Sequence, residues 1–210
     1  RTKISKTIED FRLKKADILI GTQMIAKGHD FKDVTLVGVV LADIGLSLPS
    51  FRSNESTFQL ITQAVGRSGR NDKEGIAIIQ TYSPTNQTIR LAALQNYDQF
   101  FVNELRNRKL QLYPPYRFLV SVIISSKDEE IAIEMSYKII DYLTSELKDN
   151  AIILGPICPY VSFESGKHKR SILIKYVNQD LIHQKLKSLI EIFSNKSNLN
   201  LSINFDPFDF

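Results

Sequence analysis

The pattern Gln63-x-x-Gly66-Arg67-x-Gly69-Arg70 gathers the residues best suited to chemistry. A guanidinium is a planar fork of donors that stays charged at physiological pH, and its geometry matches paired phosphate oxygens. Two of them, each beside a glycine whose missing side chain admits close approach, make an anion-binding set. At about 100° per residue, Gln59, Gln63, Gly66, Arg67 and Arg70 fall on one polar stripe. Phe58, Ile61, Ala64 and Val65 fall on other faces, available to a core. The spacing predicts an amphipathic helix over 54–70 that offers amides and guanidinium groups from one side. A solvated surface pair of arginines is the alternative at this stage.

Three further sets carry chemistry. Gly21-Thr22 closes an apolar run, where backbone N–H groups and a hydroxyl can take a phosphate. Lys27-Gly28-His29-Asp30 follows as a polar turn, with His29 a loop hydrogen-bonding residue. Lys167-His168-Lys169-Arg170 is a basic loop that is either solvated or phosphate-binding. Tyr160 and Phe163 flank it, with rings that pack in a core by the first reading and stack on bases by the second. No Gly-x-x-x-x-Gly-Lys-Ser/Thr occurs, so the chain has no phosphate loop of its own. Cys158 is the single cysteine, which excludes an intramolecular disulfide and a zinc cluster of cysteines, and no metal site is expected.

These residues need a scaffold. The apolar, β-branched runs at 16–22, 34–43 and 75–82 read as buried parallel strands around the helix at 54–70. Residues 85–112 read as one or two helices that lead to Tyr113-Pro114-Pro115-Tyr116. Paired prolines cannot continue a helix and push the preceding residue toward extended backbone, so the seam is placed there. Beyond it, the order is strand (118–125), helix (127–148), strand (151–154), strand (171–177), helix (179–195) and strand (199–205). That β-α-β-β-α-β order is the ferredoxin-like, split βαβ arrangement. Ser126 and Glu129 are spaced as a capping box for the helix at 127. The expected division is an α/β unit over 1–112 and a ferredoxin-like domain over 113–210.

The arginine pattern resembles motif VI of superfamily 2 helicases, and "ILIGTQMIAKGHDFKDVTLV" resembles their motif V. The resemblance implies a RecA-like helicase lobe two, a parallel sheet with helices, ahead of the ferredoxin-like domain. It makes Arg67 and Arg70 arginine fingers on ATP, with Gln63, Gly66 and Asp30 near the nucleotide. It sets Gly21, Thr22 and Lys27 on the DNA backbone. More particularly, "GTQMIAKGHDF", the stretch from "VTLVGVVLAD" through "LPSFRSNE" to "AVGRSGR", "LYPPY", "LGP" and "FDP" resemble the primosomal replication-restart DNA helicases of bacteria. Asp43 fits the same pattern, and Phe51 and Arg52 are set on its DNA-facing side.

That family implies ATP-dependent 3′→5′ unwinding at abandoned forks, with ATP and Mg²⁺ held mostly on a lobe one that this chain lacks. The chain alone is then expected to be inactive. Zinc belongs to the longer parent by the same resemblance. The tail is implied to bind branched DNA and the single-stranded DNA-binding protein, with Lys167, Lys169 and Arg170 as contacts and primosome proteins as partners. Two alternatives stand beside this. One is a non-catalytic DNA- or protein-binding scaffold with a degenerate helicase lobe. The other is a superfamily 2 motor of the RecG kind, which should lack the paired prolines and the tail.

Composition agrees with a globular protein that meets a phosphate-rich partner. The chain has 210 residues, 43% hydrophobic and 24% charged, with a formal net charge of +4. In residues 1–112 Lys and Arg outnumber Asp and Glu 16 to 11, whereas in 113–210 the balance is 11 to 12. A modest basic surplus in the first part suits nucleic acid. No apolar run reaches membrane-spanning length, the start has no signal-peptide centre, and one cysteine suits a reducing cytoplasm. The first residue is arginine, so the chain is read as a piece of a longer one.

Overall fold

The computed structural model describes residues 3–26, 31, 33–68, 75–193 and 198–208. The chain divides into two compact units, Arg1–Leu48 with Arg52–Glu104, and Pro49–Phe51 with Leu105–Phe210. The fold is mixed α/β, with a parallel pair of strands among helices followed by an antiparallel sheet.

In the first unit the elements are α1 (Lys3–Arg12), α2 (Gln23–Ala26), β1 (Leu36–Val39), α3 (Asp43–Leu46), α4 (Ser53–Val65), β2 (Ile76–Ile79) and α5 (Gln87–Ala93). The helix α6 (Tyr97–Gln111) begins here and carries the chain across the division. β1 and β2 pair in parallel, from Leu36 opposite Ile76 to Val39 opposite Ile79. One turn-by-turn stripe of α4, Thr57, Phe58, Ile61 and Ala64, is buried. It meets Ala42, Ile89, Ala92 and Phe100, and the Phe58 and Phe100 rings stack at 4.1 Å. Asn86 caps α5 by accepting from the Thr88 and Ile89 amides at 2.9 and 3.3 Å, which satisfies two donors that the first turn leaves open.

Two expectations fail in this unit. Residues 16–22 are irregular rather than a strand, and Ile18 and Ile20 are 77% and 89% exposed. A strand exists only as one side of a ladder, and among the described residues the parallel ladder consists of β1 and β2. Apolar, β-branched composition gave the propensity, and no partner among the described residues takes it up. The arginine helix also ends earlier than its amphipathic spacing implies. α4 stops at Val65, and Arg67 N–H and Ser68 N–H donate to the Ala64 and Val65 carbonyls at 3.0 and 3.2 Å. These i→i−3 bonds tighten the last turn, so Arg67 stands in the turn beyond the helix.

In the second unit α6 leads through Tyr113-Pro114-Pro115 to β3 (Phe118–Ser126), α7 (Glu129–Leu147), β4 (Ala151–Ile157), β5 (Phe163–Glu164), β6 (Lys167–Tyr176), α8 (Gln179–Phe193) and β7 (Asn200–Phe205). The strand order β4-β6-β3-β7 is antiparallel throughout, and β5 adds a short hairpin to β6. The two βα crossovers place α7 and α8 against the sheet, which is the expected ferredoxin-like order. Val120, Val122, Ile124, Ile172, Ile174 and Tyr176 from the sheet close on Met135, Ile139, Leu143 and Leu147 of α7. Ile182, Leu186, Leu189 and Phe193 of α8 complete that core.

Local details differ from the sequence reading. The cap of α7 is Asp128, whose Oδ1 accepts from Glu130 N–H and Ile131 N–H at 2.9 and 3.4 Å. Ser126 Oγ instead accepts from the Asp128 amide at 3.1 Å, so the predicted Ser126–Glu129 capping box does not form. Gly155 sits in the irregular stretch of β4 with φ +123°, and a Cβ there would lie 2.8 Å from the Ser171 carbonyl. Both facts demand glycine.

Candidate functional site

In the first unit α4 and its closing turn bring Gln63, Gly66 and Arg67 together. Along with Phe58, Gln59, Thr62 and Tyr97, they line a shallow, open cavity of about 430 Å³. The helix supplies the spacing: Gln59 and Gln63 lie one turn apart on the face opposite the buried Ile61. Gly66 has ordinary helical dihedrals, φ −67° and ψ 0°, so its backbone does not require glycine. A Cβ at Gly66 would lie 3.3 Å from the Thr62 carbonyl, closer than ordinary van der Waals contact, so the turn at the helix end favours glycine. Gln59 Nε2 donates to Glu55 Oε1 at 3.1 Å, which holds one amide in place at the far end. Thr62 Oγ1 is buried in this wall without a hydrogen-bond partner. The set is cationic at one end and amide-rich along its length, and a phosphate oxygen is the group it fits.

The remaining sequence candidates of this unit are placed differently. Arg70, Asp30 and Lys27 lie outside the described residues. Gly21 and Thr22 are exposed just ahead of α2, where the Thr22 carbonyl accepts from Ile25 N–H at 3.0 Å, and neither lines the cavity. Among the described residues no group of His, Cys, Asp or Glu is placed to hold a metal ion.

Asp43 has a defined structural task. Its carboxylate accepts from the Thr81 hydroxyl at 2.9 Å and the Tyr82 amide at 3.0 Å, so it clips the chain after β1 to the chain after β2. Desolvation pulls its pKa upward, but the hydrogen bonds from Tyr82, Thr81 and Ser83 outweigh it and leave the group below its ordinary value.

In the second unit the basic residues Lys167–Arg170 are part of β6 rather than a loop, and His168, Lys169 and Arg170 face carboxylates. Lys169 pairs with Glu164 across the hairpin. Arg170 Nη2 donates to Glu129 Oε1 at 2.7 Å, and His168 Nδ1 lies 3.7 Å from Glu129 Oε2. The Arg170 hydrogen bond is the main reason that the Glu129 carboxyl titrates below its ordinary value. The Arg170 side chain keeps only 13% of its exposure. Tyr160 and Phe163, first read as core residues, are 83% and 57% exposed.

Sequence reasoning missed two groups. Tyr97 joins the cavity from α6, and nothing in its own surroundings marks it, since its partner Phe58 is distant in sequence. Lys175 is buried: its ammonium donates to the Gln111 carbonyl at 2.8 Å and lies 3.4 Å from the centre of the Tyr113 ring. Tyr113 in turn stacks on Phe51 at 5.3 Å, with the Arg108 guanidinium 5.1 Å over the Phe51 ring. A single lysine inside the apolar run "SILIKY" was the available signal, because a buried cation needs partners. Phe51, assigned to a DNA-facing surface, is thus held in a ring stack.

Comparison with known proteins gives the lineage of both units. Residues 2–72 match the helicase conserved C-terminal domain, and residues 109–208 match the primosomal protein N C-terminal domain. Replication restart protein PriA of Bacillus subtilis is 39% identical over 206 residues, covering 97% of this chain and 26% of that protein. The proteins of the same name from Treponema pallidum and Rickettsia conorii are 33% and 36% identical, over 97% and 99% of this chain. The chain spans about a quarter to a third of the length of these relatives.

Proposed function

This chain belongs to the family of replication restart protein PriA, as a C-terminal part of such a protein, and from that premise we propose that it is the second half of an ATP-driven 3′→5′ DNA motor. In this reading Arg67 and Arg70 approach the ATP phosphates. Gln63, Gly66 and Asp30 border the nucleotide, and Gly21, Thr22 and Lys27 meet the DNA backbone. ATP and its Mg²⁺ are held chiefly by a lobe outside this chain, and zinc likewise belongs to the longer parent. The observation that carries the reading is Gln63, Gly66 and Arg67 side by side on the wall of one open cavity, a donor set whose chemistry fits an anion.

The tail, Lys167, Lys169 and Arg170 included, is assigned to branched DNA, the single-stranded DNA-binding protein and primosome proteins, in the cytoplasm. Lys169 and Arg170 are engaged by Glu164 and Glu129, so a phosphate would have to exchange for a carboxylate. A match to the tail over 109–208 argues against the RecG-like alternative, which was expected to lack it.

The test is ATP hydrolysis by the full-length protein with and without forked DNA. Arg67→Ala is expected to remove DNA-stimulated turnover by about 10³-fold or more, the scale on which arginine fingers act in phosphoryl transfer. Residues 1–210 alone are expected to turn over no ATP. Full turnover by the Arg67→Ala protein, or robust turnover by residues 1–210, overturns the reading, whereas no DNA-stimulated turnover by the native full-length protein favours the non-catalytic scaffold.

A further inference from the structure

The cavity beside Arg67 has a second end that the motif does not account for. Tyr97 begins α6 and leans on Phe58, with ring centroids 6.3 Å apart, and it also stacks on Phe101 at 5.9 Å. The ring is 59% exposed, and it lines the same cavity as Gln59 and Arg67. From Phe58 to Gly66 the helix rises about 12 Å at 1.5 Å per residue. The cavity therefore runs from an aromatic ring and an amide at one end to a guanidinium at the other. Two helical turns separate them, a length comparable to that of a nucleotide from its base to its terminal phosphates.

The chemistry of the two ends is complementary to such a molecule. An exposed ring held by two aromatic neighbours offers its exposed part to a base without having to be ordered first. Gln59 spends one amide N–H on Glu55 and retains a carbonyl oxygen and a second N–H suited to a base edge. Arg67 supplies the fork that phosphate oxygens need. We propose that Tyr97 is a base-stacking residue of the nucleotide site, with Gln59 at the base edge, so that this unit grips both ends of ATP rather than its phosphates alone. The assignment rests on the proposed nucleotide-facing role of Arg67.

The experiment is equilibrium binding of ADP and of inorganic pyrophosphate to the full-length protein by calorimetry, alongside steady-state ATP hydrolysis. Base–aromatic stacking contributes about 1–3 kcal/mol by alanine substitution, so Tyr97→Ala weakens ADP binding by about 5- to 150-fold. Pyrophosphate binding stays at the native value, and Tyr97→Phe recovers the ADP affinity. In turnover the loss falls on KM for ATP more than on kcat. ADP binding at native strength in Tyr97→Ala, or equal loss of ADP and pyrophosphate, overturns the assignment. Arg67→Ala separates the two readings. If it leaves pyrophosphate binding and hydrolysis intact, the phosphate-facing role falls, and the base assignment falls with it. If it abolishes both while Tyr97→Ala leaves ADP untouched, only the base assignment falls.

Discussion

The first unit holds the candidate chemistry on a slender core, and the second holds a deep core with little chemistry. In the first, two parallel strands and the helices around them bury Ala42, Phe58, Ile61, Ile89, Ala92 and Phe100, whereas Leu36, Ile76 and Ile78 of the strands stay exposed. In the second, a sheet of four main strands closes against two long helices, and residues such as Ile139, Leu143 and Leu189 are fully buried. Stability of a unit follows the apolar area that it removes from water. The second unit is therefore the more deeply packed of the two, and the first carries the candidate site on the smaller core.

The largest expected effect breaks that contrast directly. Ile139→Ala opens a cavity in the second core and should cost about 2–5 kcal/mol, read as a lower denaturant midpoint for the amides of β3, β6 and α7. Ile61→Ala removes an equally buried side chain from the smaller core, where neighbours can collapse more easily, and should fall at the low end of that range. Amide exchange in the native protein is expected to be slowest in β3 and β6 and much faster in β1 and β2. Equal protection of the two sheets would show that the cores are of the same quality.

Helix caps sharpen the comparison at smaller scale. Asn86→Ala and Asp128→Ala each remove an acceptor from two first-turn amides and should each cost about 1 kcal/mol. The midpoint that moves should be that of the first unit for Asn86 and that of the second for Asp128. A shift of both midpoints by either substitution would mean that the units unfold as one.

The contrast also explains what the sequence made legible. The tail was readable because its four main strands alternate or run apolar beside partners that this same chain supplies, so local pattern and tertiary partner agree. Residues 16–22 have the same kind of pattern, but no described strand pairs with them, and pattern alone cannot report a missing partner. The site divides the same way. Gln63, Gly66 and Arg67 were legible because helical periodicity groups residues three and four apart. Tyr97 and the Asp43 clip were not, because each depends on a contact between distant segments. The basic run at 167–170 was legible as charge and misread as loop, because strand β6 sets Lys169 and Arg170 on carboxylates from β5 and α7.

The smallest expected effect distinguishes the two units by how each holds an acid. Glu129 is kept below its ordinary pKa chiefly by Arg170, with His168 adding to it, and Glu164 likewise by Lys169. Asp43 is kept low by neutral donors from Tyr82, Thr81 and Ser83 against the upward pull of desolvation. A carboxyl whose folded pKa is depressed contributes stability above its unfolded pKa and loses it as pH falls through the folded one. Both units should therefore weaken as the medium passes below the ordinary carboxylate range. Salt tells them apart: at about 1 M the Debye length is about 3 Å, and exposed charge pairs are screened while hydrogen bonds to neutral groups are not. High salt should flatten the acid dependence of the β5–β6 hairpin, and Glu164→Gln should flatten it at low salt. The acid dependence of Tyr82 amide protection should persist in both conditions and disappear in Asp43→Asn. If salt flattened the Tyr82 profile as well, the Asp43 clip would be held by distant charge rather than by its hydrogen bonds from Tyr82, Thr81 and Ser83.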